Sequence, residues 1–228
     1  KGGWKAFWGD VRCFFGTIYS VLASDGVVEG GTGELKKEPY VEFNDADTIP
    51  MRSKKILITG AGSYIGDSVK KYLEKEAEYY AVDIISTMGL KPEPSLFADY
   101  DVVFNVVGIA HIKETNENRR LYFDINRDLV IDIAQSAKKA GVTQFILLSS
   151  MSVYGMSTGR IKKDTIPFPT SAYGESKLSA DERIEQLADE NFKVAVLRPP
   201  MVYGNGCKGN YQMLRNFALK SPVFPAYE

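Results

Sequence analysis

Residues 56–66, Ile-Leu-Ile-Thr-Gly-Ala-Gly-Ser-Tyr-Ile-Gly, constrain this chain more than any other stretch. A short apolar run stops at three glycines, and apolar residues then recur at Ile65, Val69, Tyr72 and Leu73, the spacing of one helix face. A strand, a tight turn and a helix follow from that pattern. Gly60 and Gly62 can take backbone angles other residues resist, and Gly66 lets the helix lie close to the strand. The free amides at the start of such a helix face an anion. A phosphate site at Gly60, Gly62, Ser63, Tyr64, Ile65 and Gly66 is one reading, and a glycine turn without a ligand is the other. The motif by itself leaves both open.

The rest of the chain narrows the choice. Continuous apolar strands are predicted at 55–59, 79–84, 102–107, 144–149 and 193–197. Helices are predicted at about 66–76, 121–140 and 173–190, the middle one closing on Gly141. Strands of this kind alternating with helices make an α/β protein with a parallel sheet covered on both faces. Such sheets bind ligands beyond the carboxyl ends of their strands. With 44% hydrophobic residues among 228, a proper core is available. Lys and Arg number 28 against 29 Asp and Glu, so charge offers no case for nucleic acid as a partner. The two cysteines, Cys13 and Cys207, match no metal spacing, and no metal site is expected.

Asp83 ends the second predicted strand, about twenty residues after the glycine turn. A carboxylate there accepts from an adenosine ribose and disfavours a 2′-phosphate, which selects NAD, with NADP as the alternative. Residues 85–100 are short for a further helix and strand, so the place of this strand in the sheet stays open. Val107 and Gly108 close the third strand, where a small residue lets a flat cofactor lie against the backbone. His111 is the only histidine and reads more readily as a loop residue than as an acid or base.

Leu147-Leu148-Ser149-Ser150 puts hydroxyls where an apolar strand runs out, and Tyr173 and Lys177 share one face of the helix that follows. A free tyrosine has a pKa of about 10, so its use as a base near pH 7 needs roughly 4 kcal/mol favouring the phenolate. An ammonium one helical turn away is a source of that stabilisation. Ser150 would hold the same substrate oxygen. Tyr-x-x-x-Lys alone is weak, and its value lies in the order glycine turn, serine strand end, tyrosine-lysine helix.

Thr59-Gly60-Ala61-Gly62-Ser63-Tyr64-Ile65-Gly66, Ser149-Ser150-Met151-Ser152-Val153-Tyr154-Gly155, Tyr173-Gly174-Glu175-Ser176-Lys177 and Leu197-Arg198-Pro199-Pro200-Met201-Val202-Tyr203-Gly204 together resemble the extended short-chain dehydrogenase/reductase family. More narrowly they resemble its NAD-dependent epimerase/dehydratase branch, over residues 54–228. The resemblance implies a Rossmann-type doubly wound parallel sheet at 54–198 and the start of a substrate-binding lobe at 199–228, cut short at Glu228. It makes Tyr173 the catalytic acid/base, Lys177 the lysine on the nicotinamide ribose, and Ser150 the catalytic serine. Asn126, Pro199 and Pro200 would lie near the cofactor, and Ser152, Met201 and Asn210 near the substrate. Ser63 stands in place of the family's middle glycine, so a reshaped turn is expected. Met151-Ser152 replaces the Asp-Glu pair of the dehydratases, which argues against dehydration. A UDP-hexose or UDP-N-acetylhexosamine 4-epimerase or 4-keto-sugar reductase, with a homodimer as an open question, is the implied activity.

Residues 1–38 differ. Trp8-Gly9-Asp10-Val11-Arg12-Cys13-Phe14-Phe15-Gly16-Thr17-Ile18 resembles the C-terminal end of bacterial phosphoglycosyltransferases, which load a phosphosugar onto a polyprenyl carrier for surface polysaccharides. Val11, Phe14, Phe15, Ile18 and Leu22 make one amphipathic helix, which either packs on a domain or docks at a membrane face. None of the transferase's catalytic motifs is in the chain. Residues 39–53 read as a linker. The expected location is cytoplasmic, at the inner membrane face if the helix docks there, and the chain is expected to be a piece of a longer polypeptide. A non-catalytic NAD-binding module behind a transferase is the rival reading.

Overall fold

Among the described residues, five short strands pair in parallel throughout: β1 (Lys54–Thr59), β2 (Tyr80–Ile85), β3 (Val102–Asn105), β4 (Gln144–Leu148) and β5 (Lys193–Leu197), in the spatial order β2-β1-β3-β4-β5. The computed structural model describes residues 53–110, 112–204, 206–207, 216–217 and 219–220. The N-terminal helix, the linker up to residue 52, His111 and Asn210 lie outside the described residues, and with them the transferase-like tail and the membrane-face reading.

Because successive side chains alternate across a strand, the apolar runs bury both faces of the sheet. Ile56, Ile58, Val102, Phe104, Ile146 and Leu148 pack with Val69 and Leu73 of α1 (Tyr64–Leu73). Leu57, Val103, Phe145 and Leu147 pack on the opposite face with Val130, Ile133 and Ala137 of α3 (Val130–Lys139) and Ala180 and Ile184 of α4 (Ala172–Glu185). Each fully buried side chain of this size contributes about 1.5–3 kcal/mol. The sheet is therefore a rigid platform.

Chain direction reverses around β1. From β1 the chain runs through α1 to β2 at one side, then crosses back to β3 on the other, so a crevice opens beyond Thr59 and Asn105. All five carboxyl ends share that edge.

Several boundaries differ from expectation. β3 stops at Asn105, since Val106 N donates to Thr59 O (3.0 Å) as the chain bends away. The predicted helix at 121–140 is α2 (Arg119–Phe123), a π-helical turn at Asp124–Leu129 and then α3. The last predicted helix ends at Glu185, and Ala188 is exposed. Between β2 and β3 there is only one 3-10 turn, Pro94–Leu96, which leaves β2 as an edge strand. Among the described residues, no helix is long and apolar enough to cross a membrane.

Candidate active site

The glycine turn is built around Ile85. Gly60 N and Ala61 N both donate to Ile85 O (2.8 and 2.9 Å), bending the chain sharply after β1. Gly60 has φ +110°, and a Cβ there would meet Val106 Cγ2 at 2.9 Å and Val107 N at 3.1 Å. Only glycine fits. Gly66 is also bare for packing, since its Cβ would lie 3.1 Å from Val106 Cγ2 and 3.2 Å from Ile84 Cδ1. Ser63, the departure from the family pattern, acts as N-cap of α1: its Oγ accepts from Gly66 N (3.0 Å). The amides of Gly62, Tyr64 and Ile65 are left without a protein acceptor among the described residues. Three free donors at a helix start suit a pyrophosphate.

Across the crevice, the segment after β3 is held by Asn126. The π-helical turn rotates this residue inward until it is fully buried. Its Oδ1 accepts from Ile109 N (2.8 Å), and its Nδ2 donates to Ile109 O (3.1 Å) and Ser176 Oγ (3.3 Å). With these bonds made, Asn126 acts as a staple for the backbone at Gly108–Ile109. A Cβ on Gly108 would lie 2.9 Å from Asn126 Oδ1 and 3.1 Å from Lys177 Nζ. Bare backbone thus covers the lysine, a cradle that any side chain would fill. The loop beyond is tied to the start of α4: Glu114 accepts from Ala172 N (2.9 Å) and from Arg119 Nη1 (3.0 Å), and Arg119 also pairs with Glu175.

Ser150, Tyr173 and Lys177 converge at the same edge. Ser150 is extended and caps the 3-10 turn at Met151–Tyr154, accepting from Ser152 N (3.1 Å). Its hydroxyl donates to Ser152 Oγ (3.1 Å) and acts on the phenol of Tyr173. Tyr173 enters α4 one residue after Ala172, behind the Ser171 cap, and its ring meets Tyr122 edge-on at 6.3 Å. Lys177, one turn on, is 5% exposed and donates to Leu148 O (3.0 Å).

The electrostatics differ from expectation in one respect. Burial pushes the Tyr173 phenol up, Ser150 opposes this, and Tyr122 and Asp181 add to the rise. Ser150, then, is the group that favours the phenolate, and Lys177 has no resolved part in it. Burial lowers the Lys177 ammonium from 10.5 to about 8, with Asp181 pulling the other way.

Two residues that pattern reading passed over complete the cluster. Asp181 is fully buried, and its Oδ2 accepts from Ser149 Oγ (2.9 Å) and Arg198 Nε (2.9 Å). Arg198 also donates to Tyr154 Oη (3.1 Å) and lies over its ring. The end of β5 runs beside the serines: Ser149 N donates to Leu197 O (2.7 Å) and Met151 N to Pro199 O (3.1 Å). Pro199 is half-buried at this edge, and Pro200, Met201 and Ser152 are exposed near it.

Asp83 does not join them. It pairs in register with Leu57, two residues before β2 ends at Ile85, and its carboxylate accepts from Tyr100 Oη (3.0 Å). Burial, and then this contact, push the Tyr100 hydroxyl up to about 12. The first residue beyond β2, next to the Ile85 carbonyl that anchors the glycine turn, is the exposed Ser86. A cavity of about 720 Å³ lies at the other end of the sheet, against Lys54, Gln144 and Lys193, and holds none of these residues. No cluster of three metal-ligating side chains occurs among the described residues.

A model of the NAD dependent epimerase/dehydratase family matches residues 56–220. The chain is 28% identical over 193 residues to a UDP-glucose 4-epimerase of Vibrio cholerae, covering 75% of this chain and 59% of that protein. It is 25% identical to the N-acetyl-alpha-D-glucosaminyl-diphospho-ditrans,octacis-undecaprenol 4-epimerase of Escherichia coli O157:H7, covering 72% and 54%. The chain thus spans little more than half the length of these relatives. Among solved structures, a UDP-glucuronic acid 4-epimerase from Bacillus cereus in complex with NAD superposes with a TM-score of 0.58 at 24% identity, covering 66% of this chain and 57% of that one. That likeness is one of fold.

Proposed function

This chain belongs to the NAD dependent epimerase/dehydratase family, and on that premise we propose that it is the cofactor-binding and catalytic part of a sugar-nucleotide 4-epimerase or 4-keto-sugar reductase. One observation carries the reading: Ser150, Tyr173 and Lys177 meet at the edge where the glycine turn and Gly108 leave backbone bare. A turn without a ligand needs none of this convergence, and a binding module has no use for a buried phenol on a serine.

The residues fit a dinucleotide. The free amides of Gly62, Tyr64 and Ile65, with Gly60 and Gly66 admitting close approach, would hold its pyrophosphate. Val107 and Gly108 offer flat backbone, Lys177 beneath them offers donors to a ribose, and Pro199 and Pro200 close the far side. When bound, NAD or NADP accepts and returns hydride at the sugar carbon.

The chain's own residues manage the proton. Tyr173, kept as a phenol by burial, is set to donate to a C4 oxygen, which is what reduction of a 4-ketone requires. Oxidation of a C4 hydroxyl requires the reverse transfer, and Ser150 supports it by hydrogen bonding to the phenolate. Ser150 can hold the same sugar oxygen. Met201 and Ser152, exposed at this rim, would face the sugar, and residues 199–228 would begin a substrate lobe.

A UDP-hexose or UDP-N-acetylhexosamine is the proposed substrate, in line with the UDP-glucose 4-epimerase relative. The test is an assay of the whole protein on UDP-hexoses, UDP-N-acetylhexosamines, their 4-keto forms and a polyprenyl-diphosphate sugar. Inversion at C4 or reduction of a 4-ketone is expected. Neither on any member of the panel would refute the reading.

A further inference from the structure

We propose that Asp181 is a positioning residue of this site, whose buried carboxylate ties the ends of β4 and β5 to the tyrosine-lysine helix that carries Lys177. The inference rests on the function proposed above.

Tyr173, Lys177 and Asp181 are spaced four and four along α4, so they form one inward stripe. The carboxylate at the end of that stripe is fully buried, and it receives Ser149 from β4 and Arg198 from the end of β5 through a single oxygen, Oδ2. Oδ1, equally buried, has no hydrogen-bond partner. An asparagine would still offer an acceptor to both Ser149 and Arg198 but would leave the largely buried Arg198 guanidinium without its counter-charge, so the tie between strands is itself ionic. Its charge does something more.

The groups around it show what that is. Arg198 faces Asp181 from β5, Ser149 from β4, and Lys177 and Tyr173 from its own helix, with Tyr154 reached through Arg198. Lys177 in turn meets Leu148 O and the bare backbone of Gly108. Asp181 is the one charged group resolved as acting on Lys177, and it raises the affinity of the amine for its proton, against burial that lowers it to about 8. Without the carboxylate, the buried ammonium stands unbalanced and releases its proton at lower pH. The same residue sits one position of chain away from Ser150, through Ser149, and from Pro199, through Arg198. A single carboxylate thus fixes the serine, the tyrosine-lysine helix and the proline segment together.

Two measurements on the whole protein test this. In the first, the Lys177 Nζ resonance is titrated by NMR in the wild type, D181N and D181E. Asparagine should move the midpoint down by about one pH unit and glutamate should restore it, so that at pH 8 the charged fraction in D181N falls about five-fold. In the second, kcat/KM is followed with pH: the alkaline limb of D181N should move down by the same amount, read against that variant's own plateau near pH 6. Should D181N not fold, D181N/R198Q replaces it, neutral for neutral, with the same displacement expected. A Lys177 midpoint or an alkaline limb in either asparagine variant matching the wild type would overturn the proposal, as would uniform loss at every pH. Absence of turnover in the wild type would instead count against the function, while the NMR titration would still decide the role of Asp181.

Discussion

Replacing Lys177 with methionine should stabilise the fold at neutral pH while abolishing function. The amine is 5% exposed, and burial lowers it from 10.5 to about 8. At about 1.4 kcal/mol per unit, the folded state carries a penalty of about 3 kcal/mol wherever both states hold the proton, that is, below pH 8. Between pH 8 and 10.5 the unfolded chain keeps the proton and the folded chain releases it, so stability rises with pH across that window. Above 10.5 the penalty is gone. Methionine fills a similar volume without charge but leaves Leu148 O without its 3.0 Å donor, a loss of about 1–2 kcal/mol. The net at pH 7 is a gain of about 1–2 kcal/mol, or about 2–8 °C in Tm. By pH 10 the order should invert, with the wild type the more stable. Urea unfolding of both proteins at pH 7, 8.5 and 10 reads this directly. K177M less stable than the wild type at pH 7, or a difference between the two that does not change with pH, would show that the buried ammonium is not the strained group described here.

Gly60→Ala should cost about 2–4 kcal/mol in urea unfolding, since φ +110° and contacts at 2.9 and 3.1 Å are both violated, whereas Gly62→Ala, at φ +79° in open space, should cost about 1 kcal/mol. With Asp83 held by Tyr100 and Ser86 beyond the strand end, Asp83→Asn should leave the ratio of NADH to NADPH affinity unchanged, while Ser86→Asp should weaken NADPH at least about ten-fold. Fluorescence titration measures both, and a changed ratio in Asp83→Asn would restore that residue to the ribose. Tyr173→Phe in the whole protein should lower kcat by about 10²–10⁴ while leaving cofactor affinity within about three-fold, and a smaller drop would place the proton donor elsewhere.

What could be seen in the sequence was what repeats locally. The glycine turn, the five apolar strands and the four-residue spacing of Tyr173 and Lys177 are patterns within one element, and each stands where it was expected, give or take a few residues. The partners of Asp181 and Asn126 escaped because they lie far along the chain. Asp181 looks like surface charge beside Glu182 and Arg183, and only Ser149 and Arg198, 32 and 17 residues away, make it a core residue. Asn126 sits in an unbroken helical pattern, and only the π-helical turn aims it at Ile109, 17 residues back. Asp83 is a separate case. Counting residues from a glycine turn assumes a strand length, and β2 runs two residues past Asp83, so the pairing register, not the count, decides which side chain reaches the crevice. The charged groups were the least legible part of the site because a charge is tolerated in a core only by virtue of its partners, and it is through such partners that Asp181 brings the serine, the lysine and the proline segment to one edge of the sheet.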